Sequence, residues 1–154
     1  MRVLIQRVTK AGVVVGGREI ASIGRGLLLL VGIGINDGEK EMNYLAQKIA
    51  NLRIFEDGEG KMNLSIRQVN GQALSVSQFT LYANTKKGNR PGFDRSADPA
   101  TARTCWEKFN GLLRHEGIDV REGEFGSHME VALVNDGPVT VWMDTDQLLA
   151  GRSQ

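Results

Sequence analysis

Hydrophobic and polar positions alternate at the start of the chain. Val3 and Ile5 sit between polar neighbours, and Val13-Val14-Val15 runs into Gly16-Gly17. A period of two marks half-buried strands, and a glycine pair between such runs marks a tight hairpin. The return run Arg18 to Ile23 and the apolar run Leu27 to Ile33 predict an antiparallel meander whose last strand is buried and central. After Asn36 the period changes. Met42, Leu45, Ala46, Ile49 and Leu52 recur at helical spacing, and Asn36 with Glu39 three residues on has the form of a capping box. Ile54-Phe55 begins a strand that turns at Asp57-Gly58, and Lys61 to Leu64 reads as strand or extended loop.

Leu74 to Tyr82 alternates again, but its phase slips. Leu74 and Val76 share one face, whereas Phe79 and Leu81 fall on the other. Either a bulge at Ser77-Gln78 re-aims the chain, as bulges near active sites do, or this is an ordinary strand exposed on one face. Asp98-Pro99 supplies a helix N-cap followed by proline at the first helical position. Ala102, Cys105, Trp106, Phe109, Leu112 and Leu113 then form an apolar stripe that ends at Gly117. Cys105 lies on that stripe and reads as core. Ile118 to Arg121 is a short strand, and Val139 to Met143 is the closing one. Asp144 to Gln154 reads as a tail or short helical turn.

The stretch Val131 to Trp142 is the most informative. An apolar strand runs into Asn135-Asp136-Gly137-Pro138, and a second apolar strand leaves it. The plain reading is a solvent-exposed hairpin tip, since Asp-Gly favours a turn and proline fixes φ. The sharper reading makes Gly137-Pro138 a rigid backbone probe. The elements together predict one α+β domain over residues 1–154, with a curved, mostly antiparallel, barrel-like sheet and two main helices.

Composition narrows the chemistry. With 19 Lys+Arg against 18 Asp+Glu the net charge is +1, so any nucleic-acid contact must come from a local patch. The one such patch is the irregular stretch Asn84 to Asp98, with Lys86, Lys87, Arg90 and Arg95. No run approaches the length of a membrane span, and a signal-peptide core is not expected. A single cysteine fits a reducing cytosol. Without CxxC, HExxH or a histidine cluster, neither a metal nor another cofactor is expected. Only His115 and His128 are available as imidazole bases, and no GxSxG elbow is present, so a Ser-His-Asp arrangement is poorly supported.

Ser77-Gln78-Phe79-Thr80-Leu81 together with Asn135-Asp136-Gly137-Pro138-Val139-Thr140 resembles the D-aminoacyl-tRNA deacylase family. Ile5-Gln6-Arg7-Val8, Arg53-Ile54-Phe55, Gly60-Lys61-Met62-Asn63, Gly88-Asn89-Arg90-Pro91 and Phe125-Gly126 through Met129 fall where that family has them. The resemblance spans essentially the whole chain. Two positions depart from the family pattern: Gly92 where many relatives carry serine, and His128 at a variable site.

The resemblance implies a cytoplasmic, homodimeric editing hydrolase that cleaves D-aminoacyl-tRNA and glycyl-tRNA, with neither membrane nor DNA as partner. It implies that Ser77, Gln78, Phe79 and Thr80 line the pocket for the 3′-terminal adenosine, with Asn135 and Met129 also at the substrate. It implies that Gly137-Pro138 carries a cis bond, enters the other subunit's active site and excludes L-amino acids, with Arg7 holding the loop. Lys86, Lys87 and Arg90 are the candidate tRNA phosphate contacts. For catalysis, the Phe79 and Thr80 backbone N–H groups are expected to stabilise an oxyanion while the ribose 2′-OH assists water; a Thr80 nucleophile is the alternative. Three rivals remain at this point: a deacylase for L-alanine on a mismatched tRNA, a non-catalytic nucleic-acid-binding module, and a structural dimer. The intact motifs oppose the first, near-neutral charge with five Phe, two Trp and two Tyr opposes the second, and the polar Ser77-Gln78 opposes the third.

Overall fold

The computed structural model describes residues 1–151. Strands β1 (Arg2–Val15), β2 (Arg18–Ile23), β3 (Gly26–Gly32), β6 (Gln72–Ser77), β7 (Asp119–Glu122) and β8 (Glu130–Asp144) form one six-stranded sheet. Two short strands, β4 (Phe55–Glu56) and β5 (Met62–Leu64), pair separately, so Lys61 to Leu64 is strand rather than loop. Helices α1 (Glu39–Asn51) and α2 (Pro99–His115) are the main ones, and α3 (Thr145–Leu148) is a single turn. The remainder of the expected C-terminal tail, 152–154, lies outside the described residues.

β1 is the spine. Its first half pairs β3, its second half pairs β2, and its other edge pairs β8 along nearly its full length, all antiparallel. β6 then adds to β3 in parallel, and β7 adds to β6 in parallel. The sheet is therefore antiparallel on one side and parallel on the other, and it curls until β2 approaches β6 and β7.

This curl divides the core in two. Leu27, Leu29 and Val31 of β3 join α1 and α2 in the larger cluster, while Leu28 points into the smaller one inside the curl. A strand buried on both faces must be apolar throughout, which accounts for the unbroken run Leu27 to Val31. β1 crosses between the clusters. Val3 and Ile5 belong to the larger, and Val8, Ala11 and Val13 to the smaller. The change of phase coincides with a register irregularity between Val8 and Lys10, as a bulge requires.

Two local expectations change. The N-cap of α1 is Gly38, not Asn36, and Glu41 rather than Glu39 closes the capping box by accepting from the Gly38 N–H at 2.9 Å. The phase slip after Val76 is the end of β6, not a bulge within it: residues Phe79–Tyr82 form a 3-10 turn. At α2, Asp98 caps as expected and accepts from the Thr101 N–H at 3.1 Å. Hydrogen bonds from Thr101, through its hydroxyl and its backbone, hold the Asp98 carboxyl below its usual range. Folding thus favours the charged form, and this contribution is present above the ordinary carboxylate pKa and lost as pH falls through the depressed value. Asp98→Ala is expected to lower the thermal midpoint near neutral pH, with the gap from the parent closing in acid; calorimetry across pH checks this.

Candidate active site

Three parallel strands end at one place. The carboxyl ends of β3, β6 and β7 lead to Ile33, Ser77 and the segment before Phe125, beside the N-terminus of α2. Open sheets hold ligands at such strand ends. A cavity of about 540 Å³ opens here, within the range of small-ligand sites. Its floor is Val76, Ser77, Gln78 and Phe79; Phe93, Ser96 and Ala97 wall one part. Pro99 and Ala102 of α2, with residues 125–129 and Val131, complete it.

The sequence-predicted residues divide into two groups. Ser77, Gln78, Phe79 and Met129 line the cavity. Thr80 follows at its edge within the 3-10 turn, and its hydroxyl accepts a hydrogen bond from the Gln78 side-chain amide. The first hydrogen bond of the turn runs from the Leu81 N–H to the Gln78 carbonyl at 3.3 Å. The Phe79 and Thr80 N–H groups precede it and have no partner within the turn, as at the start of any helix. Phe79 is 54% exposed and meets Phe93 edge to face, with ring centroids 4.9 Å apart. Phe93 is a cavity residue that no motif announces, and Phe125 and His128 join it from the 125–129 stretch, of which only Met129 is expected at the site.

Gly137, Pro138, Asn135 and Arg7 form the second group, and none of them lines the cavity of their own chain. Here the hairpin expectation fails. β8 is one continuous strand through this stretch, antiparallel to β1 on both sides of it. Gln6 faces Thr140 and Val8 faces Asn135, so Asp136 to Val139 bulge out opposite Arg7 alone. Gly137 and Pro138 are exposed at the tip, and the peptide bond between them is cis.

Arg7 occupies the space that the bulge vacates, and it is 4% exposed. A buried guanidinium must have its donors met. Its Nε donates to the Asp136 carbonyl at 3.0 Å, and one terminal nitrogen donates to the Ile54 carbonyl at 2.8 Å. The Glu56 and Asp136 carboxylates lie at 3.8 and 3.5 Å. Asn135 staples the loop from its other side: its amide oxygen accepts from the Val139 N–H at 2.9 Å, and its nitrogen donates to the Thr140 hydroxyl at 3.0 Å.

Lys86, Lys87 and Arg90 are exposed on a loop closed at its base by two hydrogen bonds between Asn84 and Gly92. Phe93 follows immediately, which sets the basic loop beside the cavity. Arg95 is different in kind. Its guanidinium is paired with Asp146 at 2.5 Å, and its carbonyl accepts from the Ile35 N–H, so it ties the loop to α3. Cys105 packs against the larger core cluster, as its stripe predicts, and burial raises the pKa of its thiol. Among the described residues no cluster of His, Cys, Asp or Glu could hold a metal ion, and no helix is long and apolar enough to cross a membrane.

Comparisons with known proteins identify the family. The family model described as D-Tyr-tRNA(Tyr) deacylase matches residues 4–144. A D-aminoacyl-tRNA deacylase of Thermomicrobium roseum is 54% identical, over 98% of this chain and 98% of its own. One from Bifidobacterium animalis subsp. lactis is 50% identical, over 96% and 99%. The solved structure of a c-Myc DNA unwinding element binding protein superposes with a TM-score of 0.88 at 40% identity, covering 94% of this chain and 98% of that one. A probable eukaryotic D-amino acid tRNA deacylase shares the fold, with a TM-score of 0.79 at 16% identity. Over nearly its whole length, the chain belongs to the D-Tyr-tRNA(Tyr) deacylase family of aminoacyl-tRNA hydrolases.

Proposed function

We propose that this protein hydrolyses the ester of D-aminoacyl-tRNA, and of glycyl-tRNA mischarged on tRNA-Ala, while rejecting L-aminoacyl-tRNA. The observation that carries the reading is a division of labour. The cavity at Ser77-Gln78-Phe79 and the loop at Gly137-Pro138 are both built features, yet the loop does not line its own chain's cavity. In a homodimer the loop of one copy enters the cavity of the other. Val134 and Trp142 of β8, each 44% exposed, offer apolar surface for that contact.

The terminal adenosine enters beside the exposed ring of Phe79, where an aromatic face supports base stacking. Water adds to the ester carbonyl, and the Phe79 and Thr80 N–H groups receive the developing negative charge. The vicinal ribose 2′-OH assists the water. The acyl C–O bond then breaks, the 3′-oxygen leaves with a proton, and the products are the free amino acid and tRNA. Thr80 is a poor nucleophile in this setting, since the side chain bonded to its hydroxyl, the Gln78 amide, is a donor and not a base.

Chirality follows from the geometry around Cα. With the ester held at the floor and the ammonium held by the Gly137 and Pro138 carbonyls, one direction remains open to a side chain. An L side chain would meet the loop backbone, a D side chain points away, and glycine has nothing to clash. Selection by backbone predicts breadth across D side chains. The test is deacylation of D- and L-tyrosyl-tRNA and of glycyl-tRNA: cleavage of the first and third only is expected, and equal cleavage of both tyrosyl enantiomers refutes the reading.

The exposed Lys86, Lys87 and Arg90 bind phosphates of the acceptor end. Neutralising all three to glutamine is expected to raise KM and leave kcat within about twofold. The slope of log KM against log salt should fall by ~2.1–2.7, at ~0.7–0.9 for each of the three phosphates that is no longer neutralised. Steady-state kinetics between low and physiological salt measure both.

A further inference from the structure

The 3-10 turn that carries Phe79 and Thr80 is held at both ends: before it, the Gln78 N–H donates to the Val31 carbonyl of β3 at 2.7 Å, and Arg2 holds its far end. Arg2, at the start of β1, spreads its guanidinium between the turn and β8. Its Nε donates to Asp144 Oδ2 at 3.0 Å, and Nη1 donates to the Leu81 carbonyl at 2.9 Å. Its Cζ lies 4.4 Å from the centre of the Tyr82 ring and 5.7 Å from that of Trp142. Leu81 and Tyr82 are the last two residues of the turn. At a rise of about 2 Å per residue, a carbonyl fixed at Leu81 sits within roughly one turn of the Phe79 and Thr80 N–H groups.

The anchor is itself rigid. Asp144 is 4% exposed, and its other oxygen accepts from the Asp146 N–H at 2.9 Å. Tyr82 is 4% exposed and fills a fitted slot, since a Cβ added at Gly34 would stand 2.7 Å from its hydroxyl. The hydroxyl faces Asp37 Oδ2 at 3.3 Å. The turn is thus fixed by Gln78 at its N-terminal end and by Arg2 and Tyr82 at its C-terminal end, and the exposed Phe79 and Thr80 lie between these anchors.

We infer that Arg2 is a positioning residue for hydrolysis, which sets the direction of the Phe79 and Thr80 N–H groups without touching the substrate. A lysine cannot replace it, because a single ammonium does not reproduce the planar fork that reaches Asp144 and Leu81 together while lying over Tyr82. The inference rests on the reading that those N–H groups stabilise the oxyanion. It also ties the turn to β8, the strand that bears the Gly137-Pro138 loop, through a residue far from either in sequence.

The test compares Arg2→Gln and Arg2→Lys with the parent on D-tyrosyl-tRNA. Expected are a drop in kcat of about tenfold in both, KM within about twofold, and an unchanged ratio of D to L cleavage, because the loop is held by Arg7 rather than Arg2. A folded Arg2→Gln protein with parental kcat overturns the inference. So does a fall in kcat accompanied by loss of enantiomer discrimination, which would mean general loosening. Should Arg2→Gln fail to fold, as judged by its thermal melt, Arg2→Lys decides by the same criteria. Phe79→Pro against Phe79→Ala separates the two layers, since only the proline removes the N–H. Equal rates for that pair would refute the oxyanion reading itself, whereas a collapse confined to Phe79→Pro with parental kcat in the Arg2 variants would refute the role of Arg2 alone.

Discussion

Replacing Gly137 with alanine is expected to cut kcat/KM for D-tyrosyl-tRNA by about two orders of magnitude and to raise the relative acceptance of L-tyrosyl-tRNA. The backbone at Gly137 has φ +135°, a conformation that residues with a Cβ rarely adopt. An added Cβ would stand 2.7 Å from Val139 Cγ2, 2.9 Å from the Val139 nitrogen and 3.2 Å from an Arg7 terminal nitrogen. Two of these neighbours cannot yield cheaply. The Val139 nitrogen donates to Asn135, and Arg7 is committed to the Ile54 and Asp136 carbonyls. The loop itself must therefore move, and a displacement of about 1 Å at a reacting centre costs on the order of 10²-fold. Because Gly137 is exposed, the thermal midpoint should change far less than the activity. Parental rates on the D substrate together with full rejection of the L substrate would end the idea of a backbone gate.

The second large effect lies in the substrate rather than the protein. A D-tyrosyl-tRNA ending in 2′-deoxyadenosine, esterified at its 3′-oxygen, is expected to be hydrolysed two to four orders of magnitude more slowly, the range over which positioned proton transfer acts. Binding should survive, so a deoxy substrate should compete with the normal one. Thr80→Val and His128→Gln should each stay within about fivefold of the parent. His128 lines the cavity and is the one imidazole placed to act as a base, so its variant tests the strongest protein-side alternative. A collapse in Thr80→Val, or parental turnover of the deoxy substrate, would move the reacting group back to the protein. Single-turnover assays give the chemical step in each case.

What is legible in the chain is local. Leu27 to Val31 is apolar because both faces of β3 are covered, and the spacing of Met42, Leu45 and Ile49 places α1 correctly because one face of a helix repeats every turn. The floor residues Ser77, Gln78 and Phe79 stand out through their motif. Illegible are the features decided by a distant partner. Turn chemistry at Asn135 to Pro138 serves a hairpin or a bulge equally well, and the choice depends on β1, more than 120 residues earlier, pairing both flanks. The parallel addition of β6 and β7 to β3 leaves no periodic mark, yet it creates the cavity. Phe93 carries no motif, Pro99 and Ala102 are legible only as positions of α2, and all three reach the site only through that topology. The cap of α1 lies two residues beyond Asn36 because Gly38 caps with its backbone, and the readable sign is Glu41 three positions on.

The bulge in β8 also constrains how this family can change by insertion and deletion. Asp136 to Val139 occupy the place of a single residue of β1, and a smaller irregularity between Val8 and Lys10 follows it. Across both, the pairing shifts by an even number, from Arg2–Asp144 on one side to Val14–Glu130 on the other, so inward and outward positions keep their parity. Removing one residue from the loop would rotate the first half of β8 by one position. Val131 and Leu133 would then leave the smaller core and Ala132 and Val134 would take their place. The composition of the loop is fixed at Gly137, where a Cβ has no room, and its length is locked to the alternation of the strand that carries it.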